Sequence, residues 1–304
     1  VGYRKPEKEI YYIACDSADV NPENSIFIDD LEENIIGANK VGIKGIHYKN
    51  TIELLKELAN VCRKNKIIVL SDEIYSRIHY QGEHVSIARY YPEGSIISSG
   101  LSKWCAAGGW RLGHFSFPKE LQYLQNIMAS VASETYSCVS TPIQYAGITA
   151  YEDESIDDYL FHCRRVLETV GQYCASTLID AGIKVRMPVG AFYIFPDFQP
   201  FEKILNERNV CDSKTLCKQL LDDTGVALLP GSDFGREAKE LSARLAYVNF
   251  NGNETLRKSM ELSKESVLTM EHLSESVLDI INGINEIICL LYTSPSPRDR
   301  TRSR

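Results

Sequence analysis

Short apolar runs alternate with stretches of helical spacing along this chain, and they do so in two successive blocks. In the first block, apolar residues over 25–28 predict a short buried strand that ends at Asp29-Asp30. Apolar positions then recur at helical spacing over about 31–41, Gly42 stops the helix, and 44–48 is a second strand. The second block opens with a helix over 52–64, where Ile52, Leu54, Leu55, Leu58, Val61 and Cys62 supply the apolar face. Strands are predicted near 67–70, 95–98 and 114–117; the continuous apolar run at 67–70 suits a buried parallel strand. Helical spacing marks 120–131 and 141–151, and then a long amphipathic run over 159–181 that is expected to cross between domains. Beyond it, strands are predicted over 184–187, 191–195, 226–229 and 244–248, with a helix over 213–222 among them. A carboxyl-terminal helix extends from 256 to about 290, interrupted by Gly283. Strands followed by helices place the chain in the α/β class, with a mainly parallel-sheet domain and a smaller α+β domain after it.

Composition narrows the functional classes. The chain has 304 residues, 44% hydrophobic and 24% charged, which is ordinary for a soluble protein with two cores. A net charge of -8 disfavours nucleic acid as a partner and leaves small metabolites. No apolar run is long enough to span a bilayer. The nine cysteines lack any C-x-x-C pair, which favours reduced thiols and a cytoplasmic location over a disulfide frame or a zinc site. The start, Val1-Gly2-Tyr3-Arg4-Lys5-Pro6, has neither Met nor a signal-peptide core and reads as the broken end of something longer. At the other end, 290–304 is rich in Ser, Pro and Arg. It is either a disordered basic tail or, the favoured reading, a segment resembling a translated sequencing adapter.

The candidate chemistry centres on 99–113, where Lys103 stands alone among small residues and Arg111 follows eight positions later. A lysine on a Gly/Ser/Ala-rich loop can approach a carbonyl ligand closely and form a Schiff base with it. Arginine is a natural bidentate clamp for phosphate. Upstream, the strand over 67–70 delivers Asp72 and Tyr75 at its carboxyl end. An acid to keep a pyridine nitrogen protonated, a phenol, a lysine and an arginine together describe pyridoxal 5'-phosphate. Singly, each residue has a plainer role. Asp72 could cap a helix starting at Glu73, Lys103 could be a solvated loop lysine, and Arg111 could pair with a surface acid.

Taken together, residues 59 to about 250 resemble class I/II pyridoxal-phosphate aminotransferases of fold type I. The resemblance is carried by Gly100-Leu101-Ser102-Lys103, then Ala106-Ala107, Gly109 and Arg111-Leu112-Gly113, preceded by Asp72-Glu73-Ile74-Tyr75. Downstream, 188–193 (PVGAFY) and 224–235 (TGVALLPGSDFG) are similar to the family's small-domain segments, and Arg244 stands where the family places the arginine for the substrate α-carboxylate. One departure is Gly100, where many members carry a serine that binds phosphate. The resemblance implies amino-group transfer between an amino acid and a 2-oxo acid in ping-pong order, and a homodimer. Lys103 is the implied catalytic base and covalent cofactor partner, Asp72 and Tyr75 the ring ligands, Arg111 the phosphate ligand and Arg244 the substrate ligand. The family's phosphate loop, stacking aromatic ring and ring-hydroxyl asparagine have no counterpart between Ala59 and Ile67.

Residues 1 to about 50 resemble the carboxyl-terminal part of a haloacid dehalogenase-like hydrolase. Lys5-Pro6 with Glu9-Ile10-Tyr11 carries this, as do Ile26-Phe27-Ile28-Asp29-Asp30, Asn34 and the 38–42 segment. In that resemblance Lys5 steadies phosphate charge while Asp29 and Asp30 hold magnesium through oxygen ligands. The nucleophilic aspartate of such enzymes lies outside the matching piece. The alternative for Asp29-Asp30 is a strand-end turn with a helix cap. The expected organisation is therefore a dehalogenase-like fragment over 1–50, a partial cofactor-binding domain over 51–155, a small domain over 156–268 and a helix with tail over 269–304. Such a chain would be a chimera of two coding fragments. Alternatives to the aminotransferase are a magnesium-dependent phosphatase and a non-catalytic chimeric fragment.

Overall fold

The computed structural model of the chain describes residues 3–136 and 138–292. It divides into two compact units: the described residues of Val1–Ile74 with His84–Gly147, and those of Tyr75–Glu83 with Ile148–Arg304. The expected tail over 290–304 lies outside the described residues from 293 onward.

The first unit begins with α1 (Lys8–Ser17), β1 (Ile26–Asp29), α2 (Glu32–Lys40) and β2 (Lys44–His47). β1 and β2 pair in parallel, Ile28 opposite Ile46, and α1 and α2 bury Tyr11, Cys15 and Ala38 with Ile43 in a small core. α2 lies so close to β2 that a Cβ at Gly45 would stand 2.6 Å from Ile35 Cγ2. Next comes α3 (Thr51–Lys64), started by Asn50, whose side chain accepts the Glu53 N–H, and finished with Arg63 and Lys64 in its last turn. Both ends match what the exposed backbone groups and the helix dipole favour.

A second sheet follows, with β3 (Val69–Asp72), β4 (Ser95–Gly100) and β5 (Gly113–Ser116) in the order β3-β4-β5. β3 and β4 are parallel, and β5 returns antiparallel. The expected buried strand over 67–70 needs correction. It is parallel, but it starts at Val69, and Leu70 is 62% exposed, with Ile67 and Ile68 exposed before it. β3 is an edge strand in the described sheet, and its face carrying Leu70 and Asp72 is exposed. After β5 come α4 (Gln122–Thr135) and α5 (Thr141–Glu152).

The second unit is built on α6 (Ser155–Asp180), which buries Val166, Val170, Cys174 and Leu178 at four-residue spacing. This long helix stays within the second unit; the passage between units is made by α5 and by the segment Tyr75–Glu83. α7 (Glu202–Asn206) and α8 (Ser213–Thr224) accompany a three-stranded antiparallel sheet in the order β6-β8-β7, from β6 (Tyr193–Ile194), β7 (Leu229–Pro230) and β8 (Ala243–Ala246). The expected strand over 184–187 shrinks to one bridge, Lys184 with Asp197.

The single carboxyl-terminal helix divides into α9 (Gly252–Met260), α10 (Met270–Leu273) and α11 (Leu278–Tyr292). The break has a cause outside its own sequence. The Arg165 guanidinium of α6 donates to the carbonyls of Ser263 and Ser266 at 3.1 and 2.7 Å, and the Ser263 carbonyl accepts the Ser266 N–H, at 3.2 Å, in a turn rather than a continued helix. No helix of the described residues is long and apolar enough to cross a membrane.

Candidate functional site

Parallel pairing brings the carboxyl ends of β3 and β4 side by side, with Asp72 opposite Ser98. The Glu73 N–H donates to the Ser98 carbonyl at 2.8 Å, and β4 runs on through Gly100 into the loop that carries Lys103. In open α/β sheets this carboxyl edge is where ligands gather. The loop is anchored by Leu101 and Trp104, at most 1% exposed, on either side of the half-buried Lys103. It also closes on itself: the Leu101 N–H donates to Leu112 O at 3.1 Å and the Ala107 N–H to Leu101 O at 3.2 Å. The close return of the chain requires glycine, since a Cβ at Gly100 would stand 2.6 Å from Leu112 O.

Arg111 sits in the left-handed region at φ 57, and its Nη1 donates to Gly108 O at 2.8 Å with the side chain exposed. Asp72 does not cap a helix. Its Oδ1 accepts the Ile74 N–H at 3.3 Å in a turn, and its side chain is exposed. The first unit thus brings Asp72 and the Lys103 loop to one sheet edge, with Arg111 at the far end of that loop.

Sequence reasoning missed Glu73. Its carboxylate accepts from Ser71 Oγ at 3.1 Å and Ser86 Oγ at 2.6 Å, and lies 2.9 Å from His84 Nε2. Glu73 and His84 flank Tyr75–Glu83, so this cluster ties the two roots of that segment together. No spacing rule pairs residues 73 and 84.

In the second unit, the Tyr75 ring meets Phe192 at 5.9 Å and Tyr193 at 6.2 Å, edge to face. Tyr193 pairs with Ala246 across β6 and β8, two positions from Arg244, and alternation along a strand puts Tyr193 and Arg244 on one face. The Arg244 guanidinium carbon lies 4.5 Å from the Tyr193 ring centroid and 4.2 Å from that of Phe234. Tyr75 and Arg244 therefore share Tyr193 as a common neighbour.

Behind these rings, Ala191 is held in the left-handed region at φ 59. Its N–H donates to Ile78 O at 2.8 Å, and its carbonyl accepts the Tyr80 hydroxyl at 2.6 Å. Tyr80 in turn lies 2.6 Å from the Tyr247 hydroxyl, and burial pushes both phenols well above the usual tyrosine range. This buried pair was also missed.

At the front of the chain, Lys5 Nζ lies 2.5 Å from Asp29 Oδ2, while Asp29 Oδ1 accepts from Leu31 N–H and Asn34 Nδ2, each at 2.9 Å. The Lys5 ammonium and then Asn34 hold the Asp29 carboxyl far below the usual carboxylate range. The exposed Asp30 offers its carbonyl to His47 Nε2 at 3.0 Å. Among the described residues no group of three or more His, Cys, Asp or Glu side chains is arranged to hold a metal ion.

The family model of aminotransferase class I and II matches residues 49–261. The chain belongs to the class I and II aminotransferases. It is 33% identical over 232 residues to "Probable N-acetyl-LL-diaminopimelate aminotransferase" of Bacillus subtilis, covering 76% of this chain and 54% of that protein. It is 30% identical over 210 residues to the aspartate/prephenate aminotransferase of Thermus thermophilus, covering 69% of this chain and 50% of that one. Among solved structures, aspartate aminotransferase from Thermus thermophilus with maleate superposes with a TM-score of 0.58 at 27% identity, over 85% of this chain and 59% of that one. The chain spans about half the length of the curated relatives it matches. The aminotransferase match contains Asp72, Tyr75, Lys103, Arg111 and Arg244 and leaves Asp29 and Asp30 outside. Pyridoxal 5'-phosphate is the cofactor of this family.

Proposed function

We propose that this chain acts as a pyridoxal-phosphate-dependent aminotransferase that moves an amino group between an amino acid and a 2-oxo acid. The observation that carries the reading is the placement of Asp72 and the Lys103 loop at the carboxyl ends of adjacent parallel strands, inside the segment the family matches. The donor set suits the cofactor: an exposed carboxylate for a pyridinium, a primary amine on a close-packed loop, and an exposed guanidinium for a phosphate. Arg111, Asp72 and Tyr75 would hold the group and Lys103 would bind it covalently.

When bound, pyridoxal 5'-phosphate supplies an electron-withdrawing ring that stabilises negative charge at the substrate α carbon. Lys103 Nζ, once freed by the incoming substrate amine, would take the proton from that carbon and pass it to the cofactor. Asp72 would keep a proton on the cofactor's ring nitrogen, and the Tyr75 hydroxyl would donate to its ring oxygen. Arg244 holds the substrate carboxylate through paired N–H bonds. One site serves both half-reactions, so the order is ping-pong.

The front piece is, in the same reading, a dehalogenase-like fragment joined to an aminotransferase fragment, and its phosphatase chemistry is not carried over. The Asp29 carboxylate is already occupied by Lys5, Asn34 and Leu31, which supports a structural role for it. A tail of adapter origin, a cytoplasmic location and a homodimer complete the proposal.

The test is to mix the full chain with pyridoxal 5'-phosphate, reduce with borohydride and locate the label by peptide mass. A label on Lys103 supports the assignment; a label elsewhere, or none, refutes it. Transfer of nitrogen from an amino acid to a 2-oxo acid, lost in Lys103→Ala, then supports the reaction. Labelling without transfer limits the chain to cofactor binding.

A further inference from the structure

The Arg244 side chain is not simply present on β8; it is held by aromatic rings placed by two separate backbone devices. The first device is the turn before Gly235. A Cβ at Gly231 would stand 2.2 Å from Ser242 Oγ, and the Gly231 N–H donates to Ser242 O at 2.8 Å, so this turn lies directly on the strand that carries Arg244. Gly235, at φ 78, closes the turn and leaves Phe234 at its end, with Phe195 packed edge-on against it at 6.0 Å. The second device is the left-handed Ala191, fixed through both its N–H and its carbonyl, which sets the direction of Phe192 and Tyr193. Phe192 lies 4.6 Å from Tyr193 and supports it.

We infer that Tyr193 and Phe234 are positioning residues that fix the plane of the Arg244 guanidinium and make the site selective for planar carboxylates. The inference rests on the carboxylate-binding role proposed above for Arg244. A guanidinium over two ring faces, at 4.5 and 4.2 Å, is attracted to both and loses its freedom to tilt. Its remaining donors are the N–H groups of its own edge. A carboxylate matches that edge in a single plane, with two oxygens against two parallel N–H groups. A sulfonate carries the same charge, but its third oxygen stands out of that plane. A freely tilting arginine can adjust to it. An arginine held against two ring faces cannot, and the extra oxygen is turned toward the negative face of a ring.

The test uses the full chain with arginine Nε labelled for NMR and two probes of equal charge, butanoate and propane-1-sulfonate. The Arg244 Nε–Hε signal, identified by its loss in Arg244→Lys, is expected upfield from ring currents. Butanoate is expected to bind about fivefold more tightly than the sulfonate, the scale of one well-placed cation–ring contact. In Tyr193→Leu and Phe234→Leu the upfield position and the preference both collapse, while the conservative Phe234→Tyr retains them. If the leucine variants keep the preference while Arg244→Lys loses butanoate binding, the clamp is refuted and the carboxylate role of Arg244 stands. If Arg244→Lys binds butanoate as the parent does, the carboxylate role fails and this inference fails with it.

Discussion

Replacing Tyr80 with phenylalanine will destabilise the chain more than replacing Tyr247, although each change removes one buried phenol oxygen. The Tyr80 hydroxyl has a single proton, and it goes to the Ala191 carbonyl 2.6 Å away. In the 2.6 Å contact between the two phenols Tyr247 is therefore the donor and Tyr80 the acceptor. The separate approach of Tyr247 to Ala191 O, at 3.5 Å, is too long to contribute much. Tyr247→Phe removes only the outer donor and leaves Ala191 satisfied, a loss of about 0.5–1.5 kcal/mol. Tyr80→Phe breaks both short bonds and leaves the fully buried Tyr247 hydroxyl facing Ala191 O across the long gap, a loss of about 1–3 kcal/mol. The double variant removes the stranded hydroxyl as well and is expected to recover part of the Tyr80→Phe loss. Urea unfolding of the full chain, followed by near-ultraviolet circular dichroism of tyrosine, measures all three. Hydrogen exchange at the Ala191 amide, which donates to Ile78 O, localises the effect. Equal losses in the single variants, or a double variant worse than the sum, would refute the donor order.

Three further outcomes follow from the same kind of accounting. The Asp29 carboxyl, held low by Lys5 and Asn34, contributes stability above its unfolded value of about 4 that is lost as pH falls below it. Exchange protection over 26–47 should therefore fall in acid, and Asp29→Asn should remove that pH dependence. Burial holds the His162 imidazole, 2.9 Å from Ser259 Oγ, below its ordinary range. The unfolded chain takes up a proton near pH 6.5 before the folded one does, so stability drops as pH falls through that value, and His162→Gln should flatten the curve. Asn50→Ala removes the cap on the Glu53 N–H and should cost about 1 kcal/mol, read as faster exchange in the first turn of α3.

What was legible in the sequence was local. The extent of α3, its strand neighbours and the Lys103 loop are set by spacing within a dozen residues and lie close to their expected places, although Ile52 of the expected apolar face is exposed. The burial of β3 was not legible, because an apolar run records what a strand prefers and not whether a neighbour covers it; Leu70 is left exposed on an edge strand. The break after α9 depends on Arg165, about a hundred positions away, whose guanidinium competes for helix carbonyls. The Tyr80–Tyr247 pair spans 167 positions and the Glu73–His84 cluster joins the roots of a chain excursion; neither leaves a periodic trace. Arg244 was singled out through its motif, but the rings packed against it were not, since sheet register and the Gly231 turn bring them there.

These contacts also separate two properties of cofactor binding, capture and retention. The hydrogen bonds that close the Lys103 loop run between residues 101 and 112, and Leu101 is fully buried within the first unit. The loop's conformation is thus set by sequence this chain contains. The face of β3 that carries Leu70 and Asp72 is exposed, and the chain matches only about half the length of its relatives. In the proposed reading, cofactor capture by Lys103 would draw on the closed loop, whereas retention through many turnovers would also draw on whatever shields the ring from water. The expected signature is a borohydride-fixed label on Lys103 that is lost on dialysis before reduction. Slow exchange of the Leu101 and Ala107 amides, with or without cofactor, would show that the loop is preformed. Rapid exchange at both amides without cofactor would instead mean that the ligand orders the loop, and that the local bonds are too weak to hold it alone.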